Sequence, residues 1–370
     1  MQLTPLRIGI VGGGTVGEHF LRDLGNNPHY QLTGVVTRSP ARQQELNTLF
    51  KVPAFGTLTD MLRDNPPQVV CVVNANHEHR EATLEALAAG CHVYLEKPMA
   101  PTLAEAREIV EAEANSRGSV QVGLEYIHGT MTGRLKELVE EGFFGETQWL
   151  SILDSRGHWW AQNPYGKLSD IWKLDRKLGG GIVFHCGIHQ LDLIRHYAGR
   201  ITSVQAFRPG KNPLSFYPAD VPANVTLMIT TERGVTVNFQ IFHDRAATWY
   251  REPGYKADYV HAPGHAFDIS LIGTKGSAEM RIYDEILHLF QLDADLKENR
   301  FIRTEHFHPN PHDKSHHDMS GLLRRFLASV SNGGGAIDPV SGAYETMRAA
   351  TLAEAALLRP GEILHVDELD

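Results

Sequence analysis

Cysteine is scarce, with three residues in 370, at Cys71, Cys91 and Cys186. So few, so widely spaced, exclude a disulfide framework and a cysteine-built zinc site. They read as core thiols kept reduced. No apolar run approaches the roughly 20 residues that a membrane-spanning helix needs. Positive charge is also in deficit: 35 Lys and Arg face 44 Asp and Glu, a net charge of −9. That balance argues against non-specific nucleic-acid binding and against anchoring to an anionic membrane. The opening stretch MQLTPLRIGIVGGG enters a strand pattern without the basic segment, apolar stretch and cleavage site of a leader, so the expected location is cytoplasmic. Internal repeats and long low-complexity segments are missing as well.

What remains is an ordinary globular composition, 42% hydrophobic and 21% charged, in a chain long enough for two domains. From residue 6 to residue 122 short apolar runs alternate with helical patterns. Strands are predicted at 6–11, 31–37, 69–73, 92–95 and 120–124, and helices at 15–24, 39–50, 78–89 and 103–115. This alternation predicts a parallel sheet covered by helices on both faces. The second half reads differently. A helix near 131–141 stops at Gly142, aromatic-rich loops follow, and a helix runs from about Ile182 to Tyr197. Strand-like runs at 201–207, 224–231, 235–242, 267–272 and 277–283 come next. Close spacing and Gly-containing turns predict a largely antiparallel open sheet whose exposed face or edges support a homo-oligomer, a dimer or tetramer. Helices near 321–330 and 340–358 complete the pattern, the last stopping at Arg359-Pro360-Gly361.

Gly12, Gly14 and Gly17 follow the first strand and open the first helix, the context that a G-x-G-x-x-G motif requires. Gly12 permits a tight turn, Gly14 admits a pyrophosphate to the backbone, and Gly17 allows helix and strand to pack closely. The helix start at Thr15 and Val16 presents unpaired N–H groups to phosphate. These features predict an α/β Rossmann domain over 1–124 that binds NAD(P). An α+β domain with the antiparallel sheet is predicted over 125–370, its last helix packing back on the first domain. At the end of the second strand stands Thr37-Arg38 instead of the acid that accepts from the ribose 2′-OH of NAD. A guanidinium there tilts the expectation slightly towards the 2′-phosphate of NADP. The alternatives are that Arg38 stacks on the adenine or faces solvent.

The run Asn74-Ala75-Asn76-His77-Glu78-His79 follows the third predicted strand. Ala89-Gly90-Cys91-His92-Val93-Tyr94-Leu95 and Glu96-Lys97-Pro98 come next. Gly179-Gly180-Gly181, the pair His189 and Asp192, and Gly273-Thr274-Lys275-Gly276 lie further on. Together these segments resemble the Gfo/Idh/MocA family of sugar and cyclitol oxidoreductases over nearly the whole chain. The resemblance implies that Lys97 and His189 are catalytic. It also implies that Asn74, Asn76, His79, Glu96 and Lys97 join the glycine loop, Thr37 and Arg38 at the cofactor. Lys97, at the C-terminal end of a parallel strand, is placed where open α/β sheets bind ligands. His189 suits proton exchange with an alcohol because imidazole titrates near neutrality. The plainer readings are a surface ion pair for Glu96 and helix capping by Asn76 and His79.

His185, His189, Asp192 and His196 are predicted to share one stripe of a continuous helix. The family usually carries Asp at the position of His185. Here His185 orients His189, acts as a second base, or pairs with it on a metal; no third ligand is identifiable, so no metal is assigned. A second departure is at Ile127, where many relatives carry arginine, although Tyr126 can still line the site. Arg156, His158, Trp159, Trp172 and Lys173, with Tyr126 and Asp192, are the candidate substrate contacts; flat aromatics pack on sugar C–H faces while cations bind hydroxyls or anions. The tryptophans read equally well as anchors of a long loop. His306, His308, His312, His316 and His317 read as a solvated loop or oligomer contact rather than a metal site. The function expected is hydride transfer at a secondary alcohol carbon of a sugar or cyclitol. Alternatives are a redox-neutral glycosidase or lyase working by transient oxidation and elimination, and a non-catalytic sugar or nucleotide sensor.

Overall fold

The computed structural model describes residues 5–155, 175–209, 221–242, 266–293, 299–307 and 317–369. They form two compact units. The first contains Met1–Leu124, Lys177–Gly179 and Met319–Met347; the second contains Glu125–Arg176, Gly180–Asp318 and Arg348–Asp370.

In the first unit, β1 (Leu6–Val11), α1 (Thr15–Leu24), β2 (Tyr30–Val36), α2 (Pro40–Phe50), β3 (Ala54–Phe55), α3 (Leu58–Asp64), β4 (Val69–Val72), α4 (His79–Ala88), β5 (His92–Leu95), α5 (Leu103–Ala114) and β6 (Val120–Val122) succeed one another. The six strands are parallel and ordered β3-β2-β1-β4-β5-β6. Strand order therefore reverses between β1 and β4, and the ends of those strands are where such sheets open for a ligand. Burial on both faces explains their unbroken apolar character: Ile8, Ile10, Val69, Val70, Cys71 and Val72 are fully buried. Short β3 and α3 escaped sequence reading because neither is long enough to show a period.

Helix starts here follow local chemistry. Ser39 caps α2 by accepting from the Arg42 amide, with Pro40 in the first turn. Thr57 caps α3 and Thr102 caps α5, the latter in a Thr-x-x-Glu box with Glu105. At α1 the cap position is Gly14, with no side-chain cap.

The second unit holds α6 (Thr130–Glu140), β7 (Thr147–Ser155), α7 (Ile188–Ala198), β8 (Ile201–Phe207), β9 (Asn224–Thr231), β10 (Thr236–Phe242), β11 (Ala266–Gly273), β12 (Gly276–Arg281), β13 (Ile286–Leu292), β14 (Asn299–His306) and β15 (Ile363–His365). They make one nine-stranded sheet, ordered β14-β13-β12-β11-β7-β10-β9-β8-β15, antiparallel except where β7 runs parallel to β10. Alternate residues of its central strands form one buried face: Leu150 and Ile152, Val225 and Leu227, Val237 and Phe239, Ile269 and Leu271. Strands β7, β13 and β14 were not predicted. Their polar-facing residues dilute the apolar signal, and only sheet pairing reveals them.

Residues 319–347 depart from the predicted division, which gave everything after 124 to the second domain. Helix α8 (Met319–Ser331) buries Leu322, Leu323, Phe326 and Leu327 in one core with Ile8, Ile10, Phe20 and Tyr94. Each such side chain contributes about 1.5–3 kcal/mol of burial. Arg324 adds an ion pair to Asp23, and Gln121 holds the amides of Ile337 and Asp338 at 2.8 and 3.2 Å. Helix α9 (Val340–Leu358) begins among the residues of the first unit and ends among those of the second. Among the described residues, no helix is long and apolar enough to cross a membrane.

Candidate active site

In the first unit the three motif glycines face different demands. Gly12 has φ +122°, and a Cβ there would lie 2.7 Å from the backbone at Val73 and Asn74. A Cβ on Gly17 would lie 1.8 Å from the carbonyl oxygen of Gly12, so α1 packs on the loop only without one. At Gly14 the same position is open. The fold itself therefore does not demand glycine at 14, whereas close approach of a ligand to the backbone does. Arg42 steadies the loop by donating to the Gly13 carbonyl at 2.8 Å while pairing with Glu18. Uncapped amides at the start of α1 and open space at Gly14 fit a dinucleotide pyrophosphate held by Gly14, Thr15 and Val16.

Arg38 and Thr37 lie at the end of β2. Thr37 uses backbone groups within the fold, accepting from the Gln43 side chain at 2.7 Å. Arg38 is exposed but directed: its guanidinium meets the Glu78 carboxylate at 2.7 Å. Asn74 donates to the other Glu78 oxygen at 3.3 Å. Glu78 was missed in the sequence because it sits 40 residues from Arg38 and only the fold brings the two together.

Asn76 and His79 are built into the protein rather than acting as caps. Asn76 Nδ2 donates to the Gly179 carbonyl at 3.0 Å. His79 is buried between two carbonyl oxygens, that of Pro98 at 2.8 Å from Nδ1 and that of Asn74 at 3.2 Å from Nε2. Burial pushes its pKa down to about 4, although both carbonyls favour the charged form. A neutral ring donates to one of them only, and the shorter contact assigns the proton to Nδ1. His79 thereby ties the turn after β4 to the turn after β5. In the latter, Glu96 folds back to accept from the Lys97 amide at 2.7 Å, and the Lys97–Pro98 peptide is cis. Lys97 is half-buried at the C-terminal end of β5.

In the second unit His189 is buried near the start of α7, 3% exposed. The Tyr126 ring stacks on it, centroids 4.1 Å apart and planes 6° apart. Its Nδ1 faces Glu125 Oε2 at 3.7 Å, an ion-pair distance rather than a hydrogen bond. The other Glu125 oxygen meets His317 Nδ1 at 2.9 Å. Burial would raise the pKa of Glu125, but the two imidazoles outweigh it and hold the carboxyl well below the usual carboxylate range. A one-turn helix at Glu125–His128 places Glu125 and Tyr126, and Thr132 secures that turn by donating to the Tyr126 carbonyl.

The predicted histidine stripe is not continuous. Val183–Gly187 form a π-turn before α7 begins, so His185 and His189 do not follow α-helical spacing. At the preceding glycine loop, Gly181 has φ +138°, and a Cβ there would strike the buried Glu354 carboxylate, which accepts from the Val183 amide at 2.7 Å and pairs with Arg176 at 2.6 Å. Glu125, from another element, is a carboxylate that faces His189. Asp192 is buried against Arg195 at 2.9 Å and His196 at 3.7 Å. His317 leaves the predicted solvated histidine loop to join the site. Arg156, His158, Trp159, Trp172 and Lys173, with His308, His312 and His316, lie outside the described residues. Among the described residues, no group of three or more His, Cys, Asp or Glu has metal-holding geometry.

Residues 6–124 match the sequence model of the oxidoreductase family with an NAD-binding Rossmann fold, and residues 132–279 match the model of that family's C-terminal domain. The chain belongs to the Gfo/Idh/MocA family. Among curated relatives, inositol 2-dehydrogenase of Pseudomonas fluorescens is 28% identical over 243 residues, 64% of this chain and 67% of the relative. The Bacillus subtilis protein YteT is 27% identical over 46% of this chain and 41% of its own length. A 1-carboxy-3-chloro-3,4-dihydroxycyclohexa-1,5-diene dehydrogenase of Comamonas testosteroni is 28% identical over 55% of this chain and 50% of its own length. The chain thus spans about half the length of several curated relatives it matches. Among solved structures, levoglucosan dehydrogenase with NADH superposes with TM-score 0.78 at 18% identity, over 98% of this chain and 99% of that one. An oxidoreductase domain protein of Kribbella flavida gives 0.79 at 20% identity, over 98% and 99%. The Gfo/Idh/MocA fold is shared in both units.

Proposed function

We propose that this Gfo/Idh/MocA chain is an NAD(P)-dependent dehydrogenase acting on a secondary alcohol of a sugar or cyclitol. The observation that carries the reading is His189: a buried imidazole, stacked on Tyr126, with a carboxylate at Nδ1. An imidazole so held is preset in orientation, and the carboxylate favours its protonated form. His189 takes the hydroxyl proton during oxidation or returns it during reduction, and Lys97 polarises the substrate oxygen. A bound nicotinamide supplies the hydride acceptor or donor. Gly14, Thr15 and Val16 hold the pyrophosphate, and Arg38 holds a 2′-phosphate where NADP is used. The inositol and levoglucosan dehydrogenases among the similar proteins support a polyhydroxylated ring as substrate.

A carboxylate from Glu125 beside His189 supports dehydrogenation over a redox-neutral elimination. A panel of cyclitols and sugars, including myo-inositol and levoglucosan, incubated with NAD+ or NADP+ while reduced nicotinamide is followed, tests the proposal. Reduction by at least one polyol, lost in Lys97→Met and in His189→Asn, is expected. Aglycone release from glycosides without net cofactor reduction would overturn it.

A further inference from the structure

We propose that Glu125 and His317 are the positioning pair of His189: one carboxylate shared by a buried and a half-exposed imidazole, so that protonation of His317 sets how strongly Glu125 supports a proton on His189. The part of this inference that concerns turnover rests on the dehydrogenase reading above.

Three observations in the second unit carry it. Glu125 is 1% exposed and places one oxygen towards each ring, 2.9 Å from His317 Nδ1 and 3.7 Å from His189 Nδ1. The rings themselves lie close, centroids 6.1 Å apart. Their burial differs: the His189 side chain is 4% exposed and that of His317 is 26%. Two imidazolium charges at that separation repel in a buried site, so a proton on one ring bears on the other. A carboxylate engaged by charged His317 is partly neutralised for His189. When His317 loses its proton to solvent, the whole carboxylate charge serves His189 and the buried ring becomes the stronger base. Other groups at the trio are Tyr126, which stacks on His189 and tilts against His317 at 5.4 Å, and Asp318, which adjoins His317 and is buried. His185 lies one turn before His189, while Asp192 already pairs with Arg195 and His196.

In oxidation the alcohol carbon gives up a hydride to the nicotinamide and its oxygen gives up a proton. Nδ1 of His189 is turned to Glu125, so that proton is received at Nε2. Neither Glu125 nor His317 touches the substrate in this scheme. They act through His189.

The test uses the full chain with isotope-labelled histidine and nuclear magnetic resonance, following the His189 ring from pH 5 to pH 9 in the parent, Glu125→Gln and His317→Gln. His189→Asn assigns the resonance. Glu125→Gln is expected to lower the His189 midpoint by about one unit, a tenfold change. His317→Gln is expected to raise it. With any polyol that is oxidised, the acidic limb of kcat/KM moves in the same directions, while the Kd of the cofactor does not change. An unchanged His189 midpoint in His317→Gln overturns the proposal. Midpoints that shift while no polyol reduces cofactor would uphold the coupling and sink the dehydrogenase reading instead.

Discussion

Nδ1 of His79 lies 2.8 Å from the carbonyl oxygen of Pro98, so a buried neutral imidazole links the turn after β4 to the turn that carries Lys97. Its pKa is about 4 when folded and about 6.5 when unfolded. Between those values the unfolded chain binds a proton that the folded chain does not, so stability falls as pH drops through that window. The loss attributable to this residue is on the order of 3 kcal/mol once pH reaches 4. Urea unfolding between pH 7 and pH 4.5 checks it. His79→Gln should show a visibly shallower decline than the parent, and an identical decline would remove His79 as its source.

The pairing of Arg38 with Glu78 gives a test of cofactor selectivity. The Arg38 side chain is 83% exposed, so the ion pair is worth at most about 1 kcal/mol and gives way to a dianionic 2′-phosphate. Arg38→Ala is expected to raise the Kd for NADP+ about tenfold, the worth of one charge-assisted contact, with little effect on NAD+. Glu78→Gln should tighten NADP+ binding several-fold by releasing the guanidinium. Calorimetric titration of both cofactors into both variants measures this. Parallel changes for NAD+ and NADP+ would show that neither residue reads the 2′ position.

Gly14 and Gly17 separate ligand demand from fold demand. A methyl group at Gly17 meets the Gly12 carbonyl oxygen, while one at Gly14 meets nothing. Gly17→Ala should cost roughly 3 kcal/mol of overpacking strain and weaken cofactor binding as the loop shifts. Gly14→Ala should melt with the parent yet bind cofactor at least about tenfold more weakly. Thermal melts with and without NAD+ distinguish the two. Equal melting temperatures for both apo variants would contradict the packing described.

Phe326 on α8 is fully buried in the core of the first unit. Phe326→Ala is expected to lose about 3–5 kcal/mol. Hydrogen exchange would show the loss in β1, α1 and β5, the elements carrying Ile8, Phe20 and Tyr94. Loss of protection confined to α8 would mean that the helix is peripheral to that unit.

Sequence alone determined the features that depend on neighbours in the chain. Alternating apolar runs specified the parallel sheet because strands buried on both faces must be apolar throughout. The glycine loop was legible because its glycines fall between the first strand and the first helix, and Lys97 and His189 stood out because motifs surround them. Tertiary structure decided what depends on distance in sequence. Glu125 and His317 are 192 residues apart and share no motif, yet a carboxylate from a short turn meets an imidazole before α8. Residues 319–347 joined the first unit because the apolar stripe of α8 has its partners in β1 and α1, which no local pattern names. Glu354, 171 residues away, holds the amide of Val183 at the start of the π-turn at 183–187. Burial and charge then gave those residues their roles. A carboxylate beside one imidazole is ordinary, whereas Glu125 is buried between two.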